Sequence, residues 1–139
     1  MLLIVFYLLF ATNASLAAGQ NVAQGLAAFD SAAIKIEKLM YQNVPLAHSE
    51  LKRYSARFDA LSLQQQITYK HFLADIYILK GRFHLAKQIA SEGLSLTLKL
   101  SSPSLLISKL LYSRGFAYES IGDNALATED YESGLELAK

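Results

Sequence analysis

Displaced by 41 residues, the sequence meets itself in register. Tyr77 falls on Tyr118, Gly81 on Gly122, Leu85 on Leu126 and Ala86 on Ala127; Gly93, Leu94 and Leu96 then fall on Gly134, Leu135 and Leu137. A repeat of this kind commits a chain to units that cannot bury their apolar faces alone and must stack on neighbours. Each repeated residue type has a physical reason. Gly81 and Gly122 supply the positive φ of a tight turn. Ala86 and Ala127 let a second helix come close to a first. Gly93 and Gly134 extend that approach, each at a helix-propensity cost of about 1 kcal/mol that packing must offset. Tyr77 and Tyr118 fill interhelical space and carry a hydroxyl that needs a partner or solvent.

From Gln24 onward, apolar residues recur at helical spacing. Leu26, Phe29, Ala33, Ile36 and Met40 form one stripe; Val44, Ala47, Leu51, Tyr54, Phe58 and Leu61 form a second after a turn at Asn43–Pro45. Both mark amphipathic helices with one buried face. Ser62 followed by Gln65 is a capping-box pattern that opens a third helix, running to about Lys80. Gly81 ends it, and a fourth helix runs from about Arg82 to Leu100. Ser102-Pro103 predicts the N-cap and first residue of a fifth helix ending near Ile121. Gly122 closes that helix and the Asp123 side chain is expected to cap a sixth. Turns this short make successive helices antiparallel hairpins. The expected fold class is therefore all-α, about six helices in hairpins over 19–61, 62–101 and 102–139.

Composition narrows the chemistry. The chain has no cysteine, which removes disulfides, thiolate nucleophiles and Cys-type metal sites. Its net charge of +1 gives no electrostatic footprint for nucleic acid. Leu2–Phe10 is an unbroken apolar run, shorter than the roughly 20 residues a bilayer core requires. Ser15 and Ala17 then fit the small-x-small rule of a signal peptidase. Residues 1–18 are expected to be a secretory signal cut after Ala17 or Ala18, with a buried N-terminal helix or an uncleaved anchor as the alternatives. The expected location is the periplasm.

The second copy carries a recognisable pattern. Leu111-x2-Arg114-Gly115-x2-Tyr118, then Gly122-Asp123, Ala127-x3-Tyr131 and Gly134-Leu135, resembles a tetratricopeptide repeat. The first copy reads Lys70-x2-Leu73-Ala74-x2-Tyr77, then Gly81, Ala86 and Ala90. The resemblance covers about residues 67–139, and 24–61 matches by hairpin shape. Arg114 occupies an apolar slot of the pattern, and the period exceeds the family's usual one by about two helical turns. Tyr77, Gly81, Ala86, Gly93, Gly115, Tyr118, Gly122, Ala127, Tyr131 and Gly134 are the residues that would hold the repeats together.

The resemblance implies an α-solenoid in which the first helix of each repeat lines a concave groove for a peptide or a partner helix. The groove positions carried over are Thr68, His71, Phe72, Asp75 and Ile78 from one repeat. The next repeat gives Lys109, Tyr112, Ser113, Phe116 and Glu119. The alternative is that several of these aromatics pack against a neighbouring helix. The same resemblance implies a non-enzymatic protein- or peptide-binding module of the bacterial cell envelope, acting as scaffold or sensory region of a larger protein. It also leads one to expect that the chain continues past Lys139, because such arrays end in a polar capping helix. The other reading is a periplasmic small-ligand sensor domain of a membrane signalling protein of the diguanylate cyclase or histidine kinase type.

Catalytic chemistry finds no foothold in the motifs. His71 and Asp75 lie one helical turn apart, but two ligands without a third do not make a metal site. H-E-x-x-H, G-x-S-x-G and a phosphate-binding glycine loop are all absent from the sequence. No catalytic residue, metal or cofactor is expected. The expected partner is a protein or peptide and not nucleic acid, with membrane contact only through a downstream segment or an uncleaved signal. Charge is uneven: residues 19–118 carry twelve basic and six acidic groups, residues 119–139 one and six. Glu129, Asp130, Glu132 and Glu136 form an acidic face that is either solvated surface or a dock for a basic partner. Lys52, Arg53 and Arg57 read as a small solvated cluster.

Overall fold

The structure, a computed structural model, describes the backbone of residues 2–102 and 104–138 and the side chains of 19–20, 23–102 and 104–138. It is all-helical over the described residues. Six α-helices follow in order: α1 (Leu2–Gln42), α2 (Val44–Lys52), α3 (Leu63–Leu79), α4 (Phe83–Thr97), α5 (Leu105–Ser120) and α6 (Asn124–Leu137). A 3-10 segment, Ser55–Ala60, lies between α2 and α3. The side chains of the expected signal, residues 1–18, fall outside the described set. The backbone of α1 runs continuously through them, so the first helix begins well before Gln24.

The turns explain where the helices stop. Asn43 leaves helical geometry (φ −157°, ψ 85°) and its Oδ1 accepts from the Leu46 N–H at 3.1 Å, starting α2. The second helix was expected to reach Leu61, but it ends at Lys52. There the Ser55 hydroxyl donates to the Lys52 carbonyl at 2.7 Å, and Arg57 leaves helical geometry at φ −116°. Such a side-chain bond competes with the helical ladder and lets the chain tighten. The apolar stripe survives the break. Tyr54 stacks edge-on against Phe29 at 5.1 Å and donates to the Ala28 carbonyl, while Phe58 meets Tyr69 at 5.3 Å.

At α3 the capping box forms in full. Ser62 Oγ accepts from the Gln65 N–H, and Gln65 Oε1 accepts from the Ser62 N–H. The Gln65 amide also donates to the Leu26 carbonyl and to Asp30, tying α3 to α1 from a buried position. At the start of α5, however, the cap is Ser104 and not Ser102. Ser104 is extended and its Oγ accepts from the Leu106 N–H. Pro103, the expected first helical residue, lies outside the described residues.

The two glycine turns are copies of one another. Gly81 has φ +69° and Gly122 φ +88°. Around the first, Arg82 N–H donates to the Tyr77 carbonyl and Gly81 N–H to the Ile78 carbonyl, both at 2.8 Å. Around the second, Asp123 N–H donates to the Tyr118 carbonyl at 2.9 Å and Gly122 N–H to the Glu119 carbonyl at 3.0 Å. This is the Schellman closure, made twice at the repeat interval. Asp123 stands at the N-cap position of α6, but its side chain makes no capping bond. Its backbone (φ −91°, ψ 69°) has the conformation of Arg82 at the start of α4 (φ −96°, ψ 63°). That conformation serves the glycine closure; it is not the extended one that aims a cap side chain at the helix N-terminus.

Helix α3 is buried on two faces. One face puts Tyr69, Phe72 and Ile76 into a core with Phe29, Ile36 and Met40 of α1 and Ala47 and Leu51 of α2. The other puts Ile67 and Ala74 against Ala90 of α4 and Leu110 of α5. Helices adjacent in the chain pack together from α3 to α6, and α3 also contacts both α1 and α5. Gly93 marks a tight approach: a Cβ there would lie 2.9 Å from Leu110 Cδ2 and 3.0 Å from Lys70 Cβ. Its counterpart Gly134 faces Leu111, the counterpart of Lys70, but at a looser 3.5 Å. The two glycines therefore keep one geometry at different tightness.

Candidate binding groove

Helices α1, α3 and α5, together with one face of α6, enclose an open groove of about 1000 Å³. Helix α1 contributes Glu37, Met40 and Tyr41. Helix α3 contributes His71, Asp75, Ile78 and Leu79. Helix α5 contributes Ser108, Lys109, Tyr112, Ser113, Phe116 and Glu119, and α6 adds Asp130, Tyr131, Gly134 and Leu135. Eight of the ten groove positions expected from sequence line this space: His71, Asp75, Ile78, Lys109, Tyr112, Ser113, Phe116 and Glu119. Phe72 does not. It follows the stripe Tyr69–Phe72–Ile76 into the core, one step around the helix from His71. Thr68 lies a turn before the groove and its hydroxyl donates to the Gln64 carbonyl at 3.0 Å.

The floor of the groove is polar and internally bonded. His71 Nε2 lies 3.2 Å from Asp75 Oδ2, and Ser113 Oγ donates to Asp75 Oδ1 at 2.6 Å, with the Lys109 carbonyl also in reach at 3.0 Å. Burial pushes the His71 imidazole below its ordinary value of 6.5, against the upward pull of Asp75 and with help from Lys109. A neutral ring donating from Nε2 to Asp75 leaves Nδ1 as an acceptor, and Nδ1 has no partner among the described residues. Ser108 Oγ is likewise buried without a partner. Serine, histidine and aspartate are the residue types of a hydrolytic triad, but the order here is wrong for one. The carboxylate sits in the middle, so the serine proton is held by Asp75 and not by an imidazole base.

One wall is held by an ion pair that the sequence reading placed differently. Arg114 donates to both carboxylate oxygens of Asp130, at 2.7 and 2.6 Å. Asp130 is only 4% exposed, so it belongs to the interior and not to the acidic face with Glu129, Glu132 and Glu136, which are exposed. Hydrogen bonding to Asp130 raises the Arg114 guanidinium above its ordinary value, against burial. The signal in the sequence was Arg114 itself: an arginine in an apolar slot needs a carboxylate. Tyr131 completes the wall. Its ring lies over Gly115, where a Cβ would come within 2.8 Å, and its hydroxyl donates to Glu119 at 2.8 Å. Burial and then that hydrogen bond push the Tyr131 phenol well above its ordinary range.

The rest of the repeat-structural set lies away from the groove. Ala86 and Ala127 are buried between helices. Tyr77 meets His48 at 5.7 Å, whereas Tyr118 lies under Lys87 and Arg114.

Large apolar side chains are left open in the groove beside the exposed Glu37, Lys109 and Glu119. Tyr41 (85% exposed), Leu79, Tyr112 (64%), Phe116 and Leu135 (63%) all line it with much of their surface in solvent. The residues missed by sequence reading were chiefly those of α1 and α6. Residues 19–61 carry no repeat register to transfer, and no groove position was carried over from the residues of α6. Among the described residues no helix is long and apolar enough to cross a membrane. No family model, curated protein or solved structure matches the chain.

Proposed function

We propose that this chain is a tetratricopeptide-like α-solenoid whose groove holds a peptide or a partner helix, and that it works as a non-enzymatic interaction module. The observation that carries this reading is the exposure of Tyr41, Leu79, Tyr112, Phe116 and Leu135 on one concave face. Large apolar side chains gathered in a groove lose favourable burial until something covers them. The copied Schellman turns and the paired approaches Gly93–Lys70 and Gly134–Leu111 support the solenoid part of the reading. Export to the cell envelope through residues 1–18 belongs to the same proposal, as does a role as scaffold or sensory region of a larger protein.

The test is the double variant Tyr112→Ala/Phe116→Ala, assayed against fluorescently labelled amphipathic helical peptides. Each truncated aromatic anchor costs on the order of 1–2 kcal/mol, so affinity should fall at least tenfold. Helicity by circular dichroism should persist, because both side chains are exposed. Unchanged affinity would remove the groove assignment. A second reading, a small ligand seated among the helices, is favoured by the unpartnered His71 Nδ1 and Ser108 Oγ beside a groove at the upper size limit of small-molecule sites. It calls for a calorimetric screen of metabolites.

A further inference from the structure

The sign of the groove runs opposite to that of the chain. The whole chain carries a net charge of +1. Yet the ionisable groups lining the groove are Glu37, Asp75, Glu119 and Asp130 against a single lysine, Lys109, with His71 kept neutral by burial. Arg114 cancels Asp130. Asp75 accepts from a neutral imidazole and a serine, neither of which cancels its charge. Glu37 on α1 and Glu119 on α5 are exposed and stand on different helices of the groove wall, with the apolar side chains among them. The Tyr131 hydroxyl holds one oxygen of Glu119 and so fixes its position.

The form of an occupant follows from the walls. They consist of helices whose backbone groups are already bonded, and no strand edge is present among the described residues. An extended peptide lying there would find no backbone partners for its own N–H and C=O groups. A helix satisfies them internally and presents only side chains.

Resting on the groove reading above, we infer that the occupant is a cationic amphipathic helix, its apolar face on Tyr112, Phe116 and Leu79 and its lysine or arginine side chains on Glu37 and Glu119. Exposed charge pairs of this kind select partners and speed encounter more than they add affinity, and salt weakens them. The selectivity therefore appears as a difference between matched ligands.

The experiment uses the full chain and two synthetic helical peptides of about five turns. Both carry the same Leu/Phe face; one has lysine and the other glutamate at the flanking positions. Fluorescence anisotropy should show the lysine peptide binding about tenfold tighter at low salt, with the gap narrowing as salt rises. In Glu37→Gln/Glu119→Gln, which keeps an acceptor for Tyr131, the gap should largely close. Equal affinities, or tighter binding of the glutamate peptide, overturn the charge assignment while leaving an apolar groove. A lysine preference that survives the double glutamine variant also overturns it, because the exposed acids of α6 would then be the source. If neither peptide binds, or Tyr112→Ala/Phe116→Ala leaves both affinities unchanged, the groove reading itself falls and this inference with it.

Discussion

Gly93 and Gly134 occupy the same place in the repeat, yet alanine should stabilise at Gly134 and not at Gly93. Replacing an interior helical glycine by alanine gains about 1 kcal/mol, through helix propensity and a less flexible unfolded chain. At Gly134 the new Cβ would lie 3.4 Å from the Ser108 carbonyl oxygen and 3.5 Å from Leu111 Cβ, which is ordinary contact. The gain is kept, and Gly134→Ala should stabilise by up to about 1 kcal/mol. At Gly93 the Cβ would meet Leu110 Cδ2 at 2.9 Å and Lys70 Cβ at 3.0 Å. Leu110 is fully buried with Ile67, Ala74 and Ala90, and Lys70 Cβ is fixed to its own backbone, so neither can step aside without moving a helix. Overpacking of this kind costs about 1–3 kcal/mol, which cancels or exceeds the gain. Because the unfolded-state effect is common to both variants, their difference isolates the packing. It should be about 1–3 kcal/mol, a separation of roughly 0.5–1.5 M in urea midpoint at unchanged m-value. Urea unfolding followed by circular dichroism measures it. A Gly93→Ala protein as stable as Gly134→Ala would refute the tight approach of α4 to α5.

Two further predictions concern charge. Arg114→Leu should destabilise by about 3 kcal/mol, because it leaves the Asp130 carboxylate buried without its partner. Arg114→Leu/Asp130→Ile, which installs the first copy's Leu73 and Ile89, should recover most of that loss; a double variant no better than the single would count against the ion pair. The second prediction is a fall in stability on acidification in two stages. His71 is held below 6.5 by burial, with Asp75, Lys109 and Glu37 as its charged neighbours, and His48 is lowered by burial and then by Lys80, Lys52 and Arg82. The unfolded chain therefore binds more protons once pH drops under 6.5. Glu92 is lowered by its hydrogen bond from Lys70, so its contribution is present above 4.5 and is lost as pH falls through its folded value. Urea midpoints across about pH 4 to 8 should decrease steadily toward acid, and a midpoint that rises below pH 6.5 would contradict the buried neutral histidine.

The legible parts of the fold are those set by residues a few positions apart. Ser62 with Gln65 and Gly81 with Gly122 act within one turn of themselves, and the structure uses each as local chemistry demands. The break at Lys52 was hidden because the stripe from Val44 to Leu61 is satisfied equally by a helix and by a helix that tightens into a 3-10 turn. Ser102 and Ser104 compete for one cap, and the loop before α5 decides between them. Asp130 was misplaced for a different reason. On a helical wheel it is one acid among four, and only Arg114, sixteen residues earlier on another helix, makes it interior. Phe72 shows the limit of carrying positions over from a pattern: its neighbour His71 faces the groove, and a step of about 100° turns Phe72 into the core.

Where the two copies differ is also where the groove has its chemistry. Of the positions identical after 41 residues, Tyr77/Tyr118, Gly81/Gly122, Ala86/Ala127 and Gly93/Gly134 make turns and close approaches; only Gly134, at its edge, and Leu135, the counterpart of Leu94, line the groove. The other lining positions pair with unlike residues: His71 becomes Tyr112, Asp75 becomes Phe116 and Ile78 becomes Glu119. The wall is re-engineered in pairs to match. Ala74 and Ala90 share the second core cluster, whereas their counterparts Gly115 and Tyr131 trade a missing Cβ for a whole ring. The turns of the repeat are thus alike and its groove surface is not, with the half-buried Asp75 bonded to His71 and Ser113 on α3 and exposed aromatics on α5. A ligand reversed end for end would exchange these environments, setting apolar side chains on Asp75 and charge on Phe116. A helix bound there as proposed would therefore be held in one direction and not the other.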